Sequence, residues 1–304
     1  MHASKTDFSL LVGQAKVLQP GLRCVLAPNP SPMTHWGTNT YLLGHKDLVL
    51  IDPGPDDASH LDALLRSVGI GQRITKIIVT HTHKDHSPLA NRLAAATGAQ
   101  ILGFGDAEAG RSAVMQQLSL DADLGGGEGI DTQFQAHHHV IHHQEIDCEL
   151  APLKVLHTPG HIGNHICLSW GDVCFTGDHV MGWASSLVSP PDGDLTDFMA
   201  SCELLLQGNW KVFYAGHGAP IYAPTERLNW LIAHRKNRER QIVKALAAGH
   251  ANAAQLTAQI YHDVNPALLR AAERNVLAHL VDLYKKGRIA PLQRLETKAV
   301  FQLI

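Results

Sequence analysis

The sequence of 304 residues has no uncharged apolar run long enough to cross a membrane, and its first residues do not combine a basic segment with a sustained apolar stretch. Its five cysteines form no CxxC pair, and their odd number without an export signal argues against disulfides. We therefore expect a cytoplasmic protein without a membrane partner, whose cysteines stay reduced and fill small positions in the core.

Charged residues are also scarce, at 17%, whereas apolar residues make up 45% of the chain, so a packed core is feasible and wholesale disorder is excluded. The length predicts one large and one smaller domain, which we place at residues 1–225 and 226–304. The second part carries 13 basic against 6 acidic residues, and the first carries 12 against 22. An acidic first part suits a cation site, and a basic second part suits an anionic substrate, a nucleic acid or a solvated helical surface.

The first domain has the short apolar runs that are typical of buried strands, and they alternate with amphipathic helices. Helices are predicted near 60–68, 88–97 and 195–206, and strands at 40–43, 48–51, 76–80, 99–104, 153–156, 165–169, 173–175 and 212–215. Between about 111 and 147 the pattern degrades, and this stretch includes the histidine-rich tract 137–143. Such a tract can bind metal, but we interpret it as an exposed loop or an edge strand.

The second domain is predicted to contain three helices followed by two short strands. The helices lie at 226–249, 252–262 and 266–286, and the strands lie within 288–303. Three helices and a small hairpin are the pattern of a winged-helix-like module.

Histidine is over-represented, with 21 copies, and one cluster has the spacing of a metal site. His81, His83, Asp85 and His86 directly follow a predicted buried strand. Residues i and i+2 of an extended stretch point the same way, so His81 and His83 can hold one cation. The bend that follows brings the other two toward a second position. Three later motifs also follow strand-like runs and offer further ligands. They are His157-Thr158-Pro159-Gly160-His161, Thr176-Gly177-Asp178-His179 and Gly216-His217-Gly218.

In this order, HTHKDH, HTPGH, TGDH and GHG resemble the signature of the metallo-β-lactamase superfamily, over residues 81–217. The resemblance implies an α/β (α+β) fold, a four-layer αββα sandwich in which two mixed sheets pack between helices. The metal ligands that it implies are His81, His83 and His161 for a first ion, Asp85, His86 and His217 for a second ion, and Asp178 as a bridge.

A donor set of five histidines and two aspartates without cysteine suits two zinc ions, while iron and manganese fit the same donors. A hydroxide that bridges such a pair would form at neutral pH and attack an ester, a thioester or a phosphodiester. We assign catalytic roles to Asp85, which would orient the nucleophile or relay a proton, and to His86. Asp178 stands where metallo-β-lactamases that destroy antibiotics often place Cys, so β-lactamase activity is not expected.

Five further residues near these motifs are given roles. Asp52, in the IDPGP turn, resembles a residue that orients a ligand imidazole, although a purely turn-forming role stays open. His157 and His179 match no ligand position and are expected to pack, to support a ligand or to face the substrate. Met181 and Trp183 are expected at the pocket mouth, where they would favour a substrate with a hydrophobic part. For Trp183 a place in the core is the alternative.

The segments 232–242 and 275–280 resemble the tail of the β-lactamase-like protein 2 group, which includes an endoribonuclease for single-stranded RNA. The candidate partners are therefore single-stranded RNA and a small ester or thioester, and a homodimer is left open. Trp230, Tyr261 and Tyr284 are available in the tail for base stacking, but we interpret them as core residues. The alternative functions are a glyoxalase-II-like thioesterase or lactonase, and a metal-stabilised nucleic-acid-binding or scaffold protein without turnover.

Overall fold

The computed structural model describes residues 8–121, 124, 127, 129–261 and 269–304. The strands are β1 (Ala15–Gln19), β2 (Leu22–Leu26), β3 (Asn39–Leu43), β4 (Asp47–Ile51), β5 (Arg73–Ile78), β6 (Gln100–Gly103), β7 (His138–His139), β8 (Glu145–Ile146), β9 (Leu153–His157), β10 (Ile166–Trp170), β11 (Val173–Gly177), β12 (Val212–Ala215), β13 (Ile289–Pro291) and β14 (Phe301–Leu303). The helices are α1 (Ala58–Arg66), α2 (Ala90–Thr97), α3 (Ala113–Leu118), α4 (Leu195–Leu206), α5 (Pro224–Leu246), α6 (Ala253–Ile260) and α7 (Leu269–Lys285).

Two sheets pack face to face around a shared core. The first holds β1 to β7 in sequence order, antiparallel up to β4 and parallel from there on. The second has the order β12-β11-β10-β9-β8, in which only β11 and β12 are parallel. Side chains of both inner faces meet in one cluster, while α1 and α2 cover the outside of the first sheet and α4 and α5 the outside of the second. This arrangement is the predicted αββα sandwich.

Strand β4 shows how the apolar pattern produces these layers. Val49 and Ile51 point into the core between the sheets, whereas Leu48 and Leu50 pack on the side of α1 and α2. Because successive residues of a strand face opposite sides, a strand that is covered on both faces has to be apolar throughout.

The strands that precede the histidine motifs end at one edge where the two sheets meet. β4 and β5 run parallel and end together, with Ile51 opposite Ile78, and β11 and β12 end together in the second sheet. Two backbone hydrogen bonds join the sheets there: Ile166 N donates to Thr80 O (2.8 Å), and Asn39 N donates to Gly216 O (2.8 Å). The loops after these strand ends are therefore held next to one another.

The C-terminal region builds a core of its own from α6, α7 and the hairpin of β13 and β14, together with part of α3. Helix α5 contributes to two cores. Leu228 and Leu231 pack with α4 on the outer face of the second sheet, whereas Ile242 and Leu246 pack in the C-terminal core. The domain boundary at 225/226 stays a prediction. No helix among the described residues is long and apolar enough to cross a membrane.

Most predicted elements of the first sheet, the second sheet and the C-terminal region are present, within a few residues at their ends. The strands β1 and β2 were not anticipated, and the start predicted for the last helix at Pro266 lies outside the described residues. The histidine tract supplies the edge strand β7, whose side chains are exposed. All five cysteines are free and buried, as expected. The interpretation of Trp230 and Tyr284 as core residues is wrong, because these side chains are 47% and 40% exposed on the helical surface.

Gly160 is expected to tolerate no side chain. Its φ is 138°, and a Cβ there would overlap the backbone of Phe198 at the start of α4. Gly160→Ala should lower the free energy of unfolding by about 3 kcal/mol or more, since backbone strain adds to overpacking. Urea titration followed by circular dichroism measures this change.

The matched control is Gly171→Ala in the turn between β10 and β11, where φ is also positive (59°) but a Cβ would meet nothing within 4 Å. This control should lose only about 1–2 kcal/mol. Equal losses in the two variants would contradict the close approach at Gly160.

Candidate metal centre

The four histidine motifs converge at the shared edge of the two sheets. Their ligand atoms form two groups, each with all its atoms within 4.8 Å of one another. The first group is His81, His83, His161 and Asp178, and the second is Asp85, His86, His217 and Asp178. All seven predicted ligands are thus brought together, and Asp178 is shared as the predicted bridge requires. We call these seven side chains the metal centre.

Distances within the first group are short for atoms that cannot all hydrogen-bond to one another. His161 Nε2 lies 3.0 Å from His83 Nδ1 and 3.6 Å from Asp178 Oδ2. The Nε2 atom of His81 is buried without a hydrogen-bond partner. A buried polar atom without a partner is costly, and a cation that accepts the nitrogen lone pairs would remove this cost.

The second group surrounds His217 in the same way. His217 Nε2 lies 3.1 Å from Asp85 Oδ2, 3.4 Å from Asp178 Oδ2 and 3.3 Å from His86 Nε2. Three of these side chains are at most 8% exposed, whereas that of Asp85 is 26% exposed and lines a cavity.

Hydrogen bonds outside the centre orient three of the imidazoles. In each case Nδ1–H donates to an oxygen, so Nε2 is the nitrogen that faces the centre and could bind a cation there. The pairs are His86 with Asp52 Oδ2 (2.9 Å), His161 with Leu187 O (2.7 Å) and His217 with Gly37 O (3.0 Å).

Asp52 makes the contact predicted for it in the IDPGP turn. It lies directly after β4 with a positive φ of 54°, and besides His86 it accepts hydrogen bonds from the backbone N–H and the hydroxyl of Thr80, each at 2.7 Å. The carboxylate therefore ties the second group to the segment that begins the HTHKDH motif.

Burial and charge divide the imidazoles into two sets. Burial lowers the pKa of His83 to about 3, with a further contribution from His161, and it holds the pKa of His81 well below its usual value. Burial also acts on His86 and His217, but the carboxylates around them outweigh it and raise the pKa of His217 to about 9. The carboxylates therefore stabilise positive charge within the second group, and a bound divalent cation would supply that charge.

The donor set fits a metal pair. Five imidazole nitrogens and two carboxylates, without a thiolate, suit zinc, iron or manganese. Neutral rings with inward lone pairs and a shared carboxylate are what such ions coordinate.

The predicted neighbours of the ligands lie where they can support them. His157 stacks on Phe104 at 3.8 Å between ring centroids, and its Nε2–H donates to Gly163 O (2.9 Å). His179 is buried against Phe198. Both pack, which is one of the roles expected of them. The catalytic role of His86 stays a prediction, and both of its ring nitrogens face groups of the centre or Asp52.

His165 was missed. It is buried, its Nδ1–H donates to Thr158 Oγ1 (2.9 Å), and its Nε2 accepts the backbone N–H of Asp178 (3.2 Å). The ring therefore holds the backbone of Asp178, the predicted bridging ligand. Its place four residues after His161, at the end of an extended HTPGH motif, was the available signal. The carbonyls of Gly37 and Leu187 had no signal, because any residue type supplies a carbonyl.

A cavity of about 490 Å³ opens onto the centre. His83, Asp85, His161 and Asp178 form one part of its wall. Apolar side chains and two arginines of α7 form much of the rest, namely Met33, Ile130, Met181, Leu187, Ala271, Arg270 and Arg274.

Met181 and Trp183 have different positions. Met181 is part of the cavity wall, as expected. Trp183 is not among the described residues that line the cavity; it stacks on His35 at 4.8 Å and is 38% exposed, next to Gly218. It is therefore neither in the cavity wall nor in the core.

Residues 33–217 match the family model described as "Metallo-beta-lactamase superfamily", and residues 253–295 match the model "Beta-lactamase associated winged helix domain". The chain belongs to the metallo-beta-lactamase superfamily and carries the associated winged helix. Membership and the His/Asp cluster together indicate a metal-binding hydrolase.

Among its relatives, the chain is similar to proteins named beta-lactamase-like protein 2 homolog. The Drosophila melanogaster protein is 30% identical over 276 residues, which cover 87% of this chain and 88% of that relative. An atrochrysone carboxyl ACP thioesterase of Passalora fulva is 28% identical over 240 residues, 76% of this chain and 63% of that relative. A beta-lactamase domain protein from Burkholderia ambifaria has the same fold, with a TM-score of 0.82 at 19% identity, over 98% of this chain and 96% of that one.

Asp52→Asn is expected to weaken the second metal position while leaving the fold intact. The amide keeps the shape of the carboxylate but loses the charge that polarises His86, so the affinity for one of two zinc ions should fall about 10-fold or more. Titration against a chromophoric chelator measures both constants.

Asp56→Asn is the control, because the Asp56 side chain is 56% exposed and forms an ion pair with Arg92 on the surface. If Asp52→Asn binds two zinc ions as tightly as this control, Asp52 does not support a ligand.

Proposed function

We propose that the chain is a dinuclear zinc-dependent hydrolase that cleaves a thioester or ester with a compact apolar acyl group. The observation that carries this proposal is the pair of donor groups sharing Asp178 at the wall of a cavity with apolar sides. The alternatives retained from the sequence are cleavage of single-stranded RNA and a scaffold without turnover.

The metal centre would hold the two ions as its two groups suggest. When bound, they would lower the pKa of water and polarise the bond to be cleaved. The protein's part is to aim the donor nitrogens inward, which the hydrogen bonds of His86, His161 and His217 to Asp52 and two carbonyls do. Zinc is proposed because the donors are nitrogen-rich, and the same donors suit iron and manganese.

Asp85 is the candidate proton carrier. Its side chain faces the cavity and is partly exposed, and its Oδ2 lies 3.1 Å from His217 Nε2. A carboxylate that reaches both the centre and the cavity can accept a proton from the attacking water and pass it to the leaving group. Asp178 is more deeply buried and shared by both groups, so a bridging role suits it better.

The cavity wall supports a substrate with an apolar part. Met33, Ile130, Met181 and Leu187 share the cavity wall with residues of the metal centre, which matches an acyl group attached to a scissile carbonyl. Relatives named ACP thioesterase, at 28% identity, lend support to thioester chemistry.

One observation favours RNA as a second candidate. Arg270 and Arg274 of the winged-helix region lie in the wall of the same cavity, and Trp36 and Trp183, which follow the cavity residues Met33 and Met181 in the sequence, are 37% and 38% exposed. Basic groups and exposed rings are the kinds of group that bind single strands.

A substrate panel tests these candidates. Zinc-loaded protein is expected to hydrolyse acyl thioesters, with activity lost on chelation and restored by zinc, and to leave a fluorogenic single-stranded RNA intact. Chelator-sensitive cleavage of RNA without thioester turnover would overturn the proposal in favour of the second candidate.

A His81→Ala/His83→Ala variant addresses the non-enzymatic alternative. It is expected to stay folded and lose hydrolysis. Unfolding of this variant, together with a wild-type protein that turns over no member of the panel, would make the metals purely structural.

Met181→Ala is expected to reduce kcat/KM for a hexanoyl thioester by about 10-fold, with little effect on the acetyl thioester. Burial of a methionine-sized apolar surface contributes about 1.5–3 kcal/mol, and only the longer chain can use it. Steady-state kinetics on both substrates gives the ratio.

Met199→Ala serves as its control, because Met199 lies on α4 and lines a different cavity. A loss of the same size for both acyl lengths would show that Met181 does not contact the acyl chain.

A further inference from the structure

The loop that joins β11 to α4 carries one anchor of the metal centre. This segment, residues 181–194, follows the bridging Asp178 and is called here the anchor loop. Its Leu187 carbonyl accepts the Nδ1–H of His161 at 2.7 Å, and the Leu187 and Met181 side chains line the cavity. The position of this loop therefore affects both a metal ligand and the substrate wall.

Helices α5 and α7 hold the anchor loop along its whole length. Six hydrogen bonds each join a side chain of one of these helices to the backbone or to an end residue of the loop. They are Arg227 to Met181 O (2.7 Å) and Ala184 O (2.6 Å), Arg235 to Ser186 O, Val188 N to Asn275 Oδ1 (3.3 Å), Arg274 to Pro190 O (2.9 Å), and Lys285 to Asp194 (3.0 Å).

Two of these contacts flank Leu187 directly. Arg235 donates to the carbonyl of Ser186, and Asn275 Oδ1 accepts the N–H of Val188. Arg235 also donates to the same Asn275 Oδ1 (2.9 Å), so the two side chains form one unit across α5 and α7. The peptide group that contains the Leu187 carbonyl and the peptide group before it are thereby both fixed.

Arg235 is an unusual residue to place here for packing alone. It is only 4% exposed, its Nε has no hydrogen-bond partner, and burial lowers its pKa to about 10, which leaves it charged at neutral pH. Burying a cation is costly because its hydrogen bonds only partly replace its hydration, and an apolar residue would often pack as well. The cost is explained if the guanidinium's task is to hold Ser186 and Asn275 in place.

We propose that Arg235 and Asn275 are positioning residues for the first metal position, acting through the Leu187 carbonyl on His161. The proposal rests on the metal centre of the proposed function, not on its substrate. It makes the winged-helix region a structural part of the active site. A contrasting role is pure docking, in which the same contacts stabilise the fold without favouring either metal position.

The test compares zinc binding by the full-length chain and its variants Asn275→Ala, Asn275→Asp and Arg235→Lys. Asn275→Asp keeps the Oδ1 acceptor, whereas Asn275→Ala removes it, and lysine cannot reach both acceptors as the guanidinium does. Two zinc constants are obtained by competition with a chromophoric chelator, and thermal unfolding of the metal-free proteins is recorded beside them.

Asn275→Ala and Arg235→Lys are expected to lower the affinity for one zinc ion about 10-fold or more and to leave the affinity for the other unchanged. Asn275→Asp is expected to keep both affinities. In the double variant Asp52→Asn/Asn275→Ala, the affinity should also fall for the zinc ion whose binding Asp52→Asn alone leaves unchanged. Lys236→Met on the exposed side of α5 is the matched control, and its zinc constants should equal those of the wild type.

The positioning role would be overturned in favour of docking if Asn275→Ala had the zinc affinities of the wild type. It would also be overturned if both zinc affinities fell equally together with the melting temperature. The proposed function can fail separately. If the wild type binds two zinc ions but hydrolyses no ester or thioester, the substrate assignment falls while the selective loss of one zinc ion still supports the positioning role.

Discussion

Five imidazole lone pairs and two carboxylates are held within a few ångströms of one another, and this electrostatic constraint governs the active-site end of the molecule. Donor atoms lie as close as 3.0 Å in the first group and 3.1 Å in the second. Without a cation, buried charges and lone pairs in such proximity are costly, and with one they become a coordination sphere. The cluster is tolerable only because the rest of the fold prevents the side chains from turning away.

That restraint comes from three distant parts of the chain. Asp52 follows a strand of the first sheet, Gly37 belongs to the segment that pairs with the residues after β12, and Leu187 sits in the anchor loop. Each binds the far nitrogen of one imidazole, so the lone pair on the near nitrogen is fixed in direction. The two sheets are therefore needed together, because neither one carries all the ligands or all the anchors.

The C-terminal region completes the site in two ways. Arg270 and Arg274 contribute to the cavity wall, and other side chains of α5 and α7 bind the backbone of the anchor loop. A basic helical region could be taken for a nucleic-acid platform on charge alone. Its contacts show that several of these basic side chains are directed inward, at carbonyl groups of the catalytic domain, where they stabilise a loop.

The sequence by itself determined the superfamily, the seven candidate ligands and the support from Asp52, because its motifs resemble the superfamily's signature, and it determined most strands and helices, because these depend on the alternation of apolar residues. Only the tertiary structure revealed His165 behind Asp178, the carbonyl anchors at Gly37 and Leu187, and the inward direction of Arg235. It also placed Trp230 and Tyr284 on the surface. A backbone carbonyl leaves no mark in a sequence, and the direction of Arg227 and Arg235 depends on carbonyl acceptors 43 to 49 residues away, which are positioned only when the two sheets and the C-terminal helices have packed.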